Sequence, residues 1–219
     1  MFMRSFGLND VWYLLIATQW TIYLTVVAFL VGGALGLWLA LARTGGSRVG
    51  NSLALVWIRA FQNTPLLVQL FLIYYGLGLF GFRLPPFVAA AVGLICYASA
   101  FLAEIWRGCI LAVPRQQWEA ADALALTPWQ IRWYVILPQA LRIAIPPTVG
   151  FLVKLIKNSS LASVVGMTEL MRAATAINNA TFQPFKVFLC AAIIYFLLCF
   201  PLTMLSRRFE RQLDVSTRG

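Results

Sequence analysis

Histidine is absent from the 219 residues, and only 11% of them are charged. Without imidazole there is no His-dependent nucleophilic triad, no imidazole metal site and no histidine proton relay. Cys96, Cys109, Cys190 and Cys199 form no C-x-x-C pair and lie in or beside apolar runs. They read as small buried hydrophobes rather than a disulfide frame or a zinc site, and no metal is expected. Lysine occurs only at 154, 157 and 186, and none of the three closes a G-x-x-x-x-G-K-[ST] loop. The chain therefore lacks that phosphate cradle, and if ATP drives it, another polypeptide binds the nucleotide.

What is present is apolar. Hydrophobic residues make up 61% of the chain, against about 45–50% in an ordinary soluble domain. They come in blocks long enough to cross a hydrocarbon core of about 30 Å. The expected architecture is an all-α membrane protein of one domain, residues 1–219, with spans near 12–42, 53–80, 84–106, 143–166 and 185–206. No repeat, low-complexity tract or linker interrupts it. The first apolar run, at about 30 residues, exceeds the 7–15 of a cleavable signal. The glycines of Thr44-Gly45-Gly46-Ser47 read as the turn after the first span.

The fourth span is the least apolar. Between Ile143 and Ser163 there are nine Leu, Ile, Val or Phe residues, each favouring insertion by about 0.3–0.6 kcal/mol. Lys154 and Lys157 oppose it by about 2.5–3.5 kcal/mol apiece near the centre. Such a helix inserts only beside other helices, with its lysines facing protein or water.

The net charge of +10 sorts by location. With the N-terminus outside and the C-terminus in the cytoplasm, Arg43, Arg48, Arg59, Arg107, Arg115, Arg132, Arg142, Arg207, Arg208, Arg211 and Arg218 fall on the cytoplasmic side. Only Arg4, Arg83, Arg172 and Lys186 fall outside. That is the positive-inside pattern, so the basic balance marks a membrane face and no nucleic acid is implied.

Several clusters carry a readable mechanism. Ala28, Gly32, Gly36 and Ala40 recur every four residues, a stripe that lets another helix approach closely, within the chain or between subunits. Gln62, Asn63, Thr64 and Pro65, with Gln69 a turn on, either satisfy one another at the boundary or place Gln62 and Gln69 on a permeation path. Glu104 lies one turn from Arg107 and is the expected intramembrane carboxylate, as an ion pair or as a contact for a substrate amine. Lys154, Lys157 and Asn158 share one helical face, extended by Ser159, Ser160 and Ser163. The lysines either snorkel outward or line a path, and Lys154 could meet a substrate carboxylate.

Between the third and fourth spans, residues 117–126 form a short alanine-rich helix. Thr127, Pro128 and Gln130 have the spacing of a capping box that starts a second helix. Pro138 is expected to end that second helix, and Pro146-Pro147 to reset the chain before the fourth span. Ten residues of helix are marginal alone in water, and Trp118, Ala120, Ala121 and Leu124 give the first helix an apolar face that suits a groove on another protein.

These residues resemble a known family. Glu119-Ala120-Ala121, then Leu124-Ala125 and Ile136-Leu137-Pro138, resemble the EAA signature of bacterial ABC-importer permeases. Asn63-Thr64-Pro65-Leu66-Leu67-Val68-Gln69, Ala103-Glu104-Ile105-Trp106-Arg107-Gly108, Pro138-Gln139-Ala140-Leu141-Arg142 and Lys157-Asn158-Ser159-Ser160-Leu161 with Glu169-Leu170 are similar to blocks of its polar-amino-acid branch. The likeness runs over Thr21–Arg211. It implies a permease subunit of an ATP-driven amino acid importer in the bacterial inner membrane, itself no enzyme and without a cofactor. Its partners would be a second permease subunit, identical or related, two ATP-binding subunits that hold ATP and Mg, and a periplasmic amino-acid-binding protein. Residues 117–126 become the coupling helix, with Glu119, Ala120, Ala121, Leu124 and Ala125 meeting the ATPase. Two positions depart from the signature: Ala125 stands where the family has glycine, and Gln116-Gln117 where it has Gly-Gln. Alanine continues a helix where glycine permits a turn, so the bend there is expected to differ. The alternative, an autonomous secondary transporter or channel, needs an ion-coupling carboxylate, and only Glu104 offers itself in the sequence.

Overall fold

The computed structural model describes residues 4–45 and 47–217, with side chains as far as Gln212. Gly46 of the expected turn and Arg218 of the charge pattern lie outside those residues. The chain is helical, with no strand among the described residues: α1 (Leu8–Thr44), α2 (Arg48–Gln62), α3 (Leu66–Leu79), α4 (Pro86–Leu111), α5 (Arg115–Ala123), α6 (Pro128–Val165), α7 (Leu170–Thr181) and α8 (Pro184–Thr217). Helices α1, α4, α6 and α8 are each long and apolar enough to cross a membrane.

Helix α4 is the centre of the bundle. Its alanines 89, 90, 91, 98, 100 and 103 are buried, and α1, α2 and α6 pack on it. The small-residue stripe of α1 is the reason α1 sits so close. A Cβ on Gly32 would stand 2.7 Å from the Ala98 Cβ, and one on Gly36 2.9 Å from the Ser99 carbonyl. Ala28 and Ala40 are buried on the same line. The stripe therefore serves packing within the chain.

The second apolar run does not form one continuous span over 53–80. Helices α2 and α3 meet at 99°, because Pro65 has no N–H to donate and its ring pushes Thr64 away from helical geometry. Gln69 repairs the break. Its buried amide nitrogen donates to the carbonyls of Phe61 and Thr64 at 2.9 and 3.0 Å and to the Thr64 hydroxyl at 2.8 Å. Helix α2 lies on α1 and α4 through Ala54 and Ile58, packed against Leu39 and Ala103, and leaves Val49, Leu53 and Val56 exposed.

The structure also joins what the prolines were expected to separate. Helix α6 runs from Pro128 to Val165 through Pro138, Pro146 and Pro147. A π-helical widening at Ile131–Ile136 precedes Pro138 and absorbs the hydrogen bond its ring cannot make. The Ser206 hydroxyl of α8 donates to the Pro146 carbonyl at 2.9 Å, which ties α8 to α6 beside the proline pair. Helix α7, between α6 and α8, was not anticipated. It packs Leu170, Ala173, Ala174 and Ile177 against Leu14 and Ala17 of α1 and Val187 and Ala191 of α8.

Candidate functional site

Two regions carry the candidate residues. The first is a polar face on the membrane-crossing part of α6. Lys154 and Lys157 are exposed and Asn158 is half-buried. The Lys154 ammonium lies 4.4 Å from the centre of the Phe101 ring and 5.8 Å from that of Tyr97, a cation–π position that holds it over α4. Ser159 and Ser160 donate back to the carbonyls of Ile156 and Lys157, at 2.7 and 2.6 Å, so their hydroxyl protons are already in use. Gln62 reaches the same helix α4, donating to the Ala100 carbonyl at 3.2 Å. Gln69 is buried at the α2–α3 break and is taken up by its repair.

Glu104 does not join this face. Its carboxylate accepts two hydrogen bonds from Arg107 Nε, at 3.0 and 2.9 Å, and one from Arg107 Nη2 at 2.7 Å. Arg43 of α1 stands 3.5 Å away and donates to Asn51 of α2 at 2.6 Å. The cluster ties together the ends of α1, α2 and α4, and a carboxylate already held by two guanidiniums is poorly placed to take a substrate amine.

Glu104 is also not the deepest carboxylate. Glu169 is fully buried, and its oxygens accept from the backbone N–H groups of Met171 at 2.9 Å and Arg172 at 2.7 Å, capping α7. Tyr195 of α8 donates at 3.0 Å and Thr21 of α1 at 3.5 Å. Burial pushes the carboxyl above its usual range, against the pull of those hydrogen bonds. With its oxygens so engaged, Glu169 works as a helix cap. Sequence reasoning saw Glu169 only as the tail of a motif; its position before the Leu170-Met171-Arg172 run is the capping signal that could have found it.

The second region is α5. Ala121 is buried among Ile110 of α4, Val113 in the link after it, and Ile131, Ile136 and Ala140 of α6. It therefore seats the helix on its own chain. Glu119, Ala120, Leu124 and Ala125 are exposed, Leu124 by 75%, and Glu119 pairs with Arg115 at 3.0 Å on the open surface.

The turn after α5 is kept despite the missing glycine. Ala125 adopts φ 55°, the left-handed region. Its N–H donates to Asp122 and that of Leu126 to Ala121, at 2.8 and 3.4 Å, the two bonds of a Schellman stop. The capping box follows: the Thr127 N–H donates to Gln130 Oε1 at 2.9 Å and the Gln130 N–H to Thr127 Oγ1 at 3.4 Å. One turn later Arg132 reaches across to α1, its Nη2 donating at 3.0 Å to the carbonyl of Thr44 at that helix's C-terminus. That bond brings a cation to the negative end of a helix. Arg132 and Arg43 are invisible as partners in the sequence, since both contacts join segments far apart in the chain.

Comparison with known proteins places this arrangement. The family model described as binding-protein-dependent transport system inner membrane component matches residues 32–215. The L-cystine transport system permease protein TcyB of Bacillus subtilis is 39% identical over 196 residues, 89% of this chain and 84% of the relative. The glutamine transport system permease protein GlnP of Escherichia coli is 34% identical over 197 residues, covering 89% and 90%. A chain from the crystal structure of an amino acid ABC transporter with histidines superposes with a TM-score of 0.87 at 35% identity, covering 91% and 94%. A chain of the inward-facing MetNI methionine ABC transporter shares the fold at TM-score 0.72 and 22% identity, covering 93% and 99%.

Proposed function

The chain belongs to the family of binding-protein-dependent transport system inner membrane components, and from that membership we propose that it is the permease of an ATP-driven amino acid importer. It is a multi-pass membrane subunit and no enzyme; hydrolysis belongs to partner chains. In this reading the bacterial inner membrane holds the chain with α5 on the cytoplasmic side and the N-terminus outside, as the arginine distribution favours. One of two ATP-binding subunits, carrying ATP and Mg, takes the exposed edge of α5 at Glu119, Ala120, Leu124 and Ala125, and the other takes that of the second permease. A second permease faces Lys154, Lys157, Asn158 and Ser160, and an external binding protein delivers the amino acid.

The observation that carries the proposal is the seating of α5. A nine-residue helix is too short to persist alone, yet here it rests on the ends of α4 and α6 through Ala121 and offers Leu124 outward. Closure of the ATP-binding subunits then moves α4 and α6 through that seat, a rigid-body switch between two openings. A stand-alone transporter has no use for such a helix.

The test is ATP-driven uptake in proteoliposomes holding the full assembly. Glu119→Lys, on an exposed position, is expected to insert normally and lose at least tenfold in uptake with weakened ATPase retention. Full uptake in that variant, or uptake without ATP, overturns the reading.

A further inference from the structure

A groove of about 450 Å³ runs along the bundle between α1, α4 and α6, lined by Leu37, Trp106, Ile110, Leu141, Ile145 and Val149. Its one polar handle is closed, because the Trp106 indole N–H donates to the Thr148 hydroxyl at 2.9 Å. From its Leu137 end to Val149, α6 rises about 18 Å, the depth of one leaflet of a hydrocarbon core about 30 Å thick. Trp133 and Tyr134, about one turn below Leu137, are exposed, by 43% and 75%, where aromatic side chains mark a membrane–water boundary.

The groove faces away from the candidate path. At 100° per residue, Leu141, Ile145 and Val149 stand roughly 140°, 180° and 140° from Lys154 around α6. On α4, Phe101 and Tyr97 beneath Lys154 stand roughly 180° from Ile110 and Trp106. Both helices thus place the lysine face and the groove on opposite sides. A partner permease that covers the lysines leaves the groove to the bilayer. At its edge, on the turn between Leu141 and Ile145, Arg142 is exposed and makes no ion pair with a carboxylate among the described residues. A guanidinium there extends toward the headgroup level along its own apolar stem.

We propose that this groove is a binding site for one anionic phospholipid, with an acyl chain along Leu141, Ile145 and Val149 and the headgroup phosphate on Arg142. The apolar trough fixes the tail, the arginine supplies a bidentate partner for phosphate, and the aromatic pair sets the depth. Ile110 and Leu137 belong both to the groove and to the seat of α5, so the bound chain packs against the platform that carries the coupling helix. The site is independent of which solute crosses.

The experiment is native mass spectrometry of the detergent-purified assembly, titrated with phosphatidylglycerol and with phosphatidylcholine. The wild type is expected to hold one phosphatidylglycerol per permease chain, at least tenfold more tightly than phosphatidylcholine. Leu141→Trp, which fills the mouth of the trough, should lower retention of both lipids. Arg142→Gln should remove the preference for phosphatidylglycerol and leave phosphatidylcholine unchanged. Arg142 is exposed, so that variant decides the matter even where the tryptophan disturbs assembly. Equal retention of the two lipids by the wild type, or an undiminished preference in Arg142→Gln, overturns the proposal. So does efficient cross-linking of Leu141→Cys to another protein chain, which would give the groove to a subunit.

Discussion

Ala125 ends α5 in the left-handed region, where glycine is the usual residue. An L-residue with a side chain in the left-handed region costs about 1–2 kcal/mol that glycine avoids. The Schellman bonds and the contact of Leu126 with Ala121 hold it there. Ala125→Gly is therefore expected to raise the thermal midpoint of the purified assembly, equivalent to roughly 1 kcal/mol, with uptake retained. A fall in the midpoint would mean that the alanine methyl packs usefully on a partner. The sequence marked the position, and the structure shows that alanine does not continue the helix there but takes the left-handed turn, held by the Schellman bonds against its own preference.

At the scale of elements, the strongest link is the one no motif announces. The platform of α5 and the start of α6 meets α1 through the hydrogen bond from Arg132 to Thr44, and Arg43 passes the connection on to α2 and α4 through Asn51 and Glu104. Charge-assisted bonds of this kind contribute about 1.5–3 kcal/mol. Arg132→Gln is expected to leave ATP hydrolysis by the assembly near wild type while uptake per ATP falls about tenfold, with Arg132→Lys intermediate. Parallel loss of hydrolysis and uptake would instead indicate a purely structural role. The helical character of the chain, the stripe of Gly32 and Gly36 and the capping box at Thr127 were legible because each is written in local spacing. The 99° break at Pro65, the continuity of α6 through three prolines and the whole of α7 were not. The break rests on Gln69 collecting the carbonyls five and eight residues back, the continuity of α6 on the π-helical widening before Pro138, and α7 on Glu169 held by the distant Thr21 and Tyr195.

For the molecule as a whole, the lysine face decides how it is used. Two exposed ammonium groups on a spanning helix cost about 2.5–3.5 kcal/mol each against lipid, so this face meets protein or water in the assembled state. Lys154→Leu should release Phe101 and Tyr97 from their cation and change the apparent affinity for the transported amino acid by more than threefold, with maximal rate less affected. Unchanged kinetics would confine Lys154 to a packing role. A different consequence follows from Glu169. Its partner Thr21 lies 148 residues earlier in the chain, and its partner Tyr195 lies on the last helix. During synthesis, the half of α1 that carries Thr21 is made long before α7 and α8 exist. It can settle on α4, where Trp20 and Tyr23 meet Phe87, but the polar knot of Thr21, Glu169 and Tyr195 closes only when the final span arrives and the two ends of the polypeptide meet.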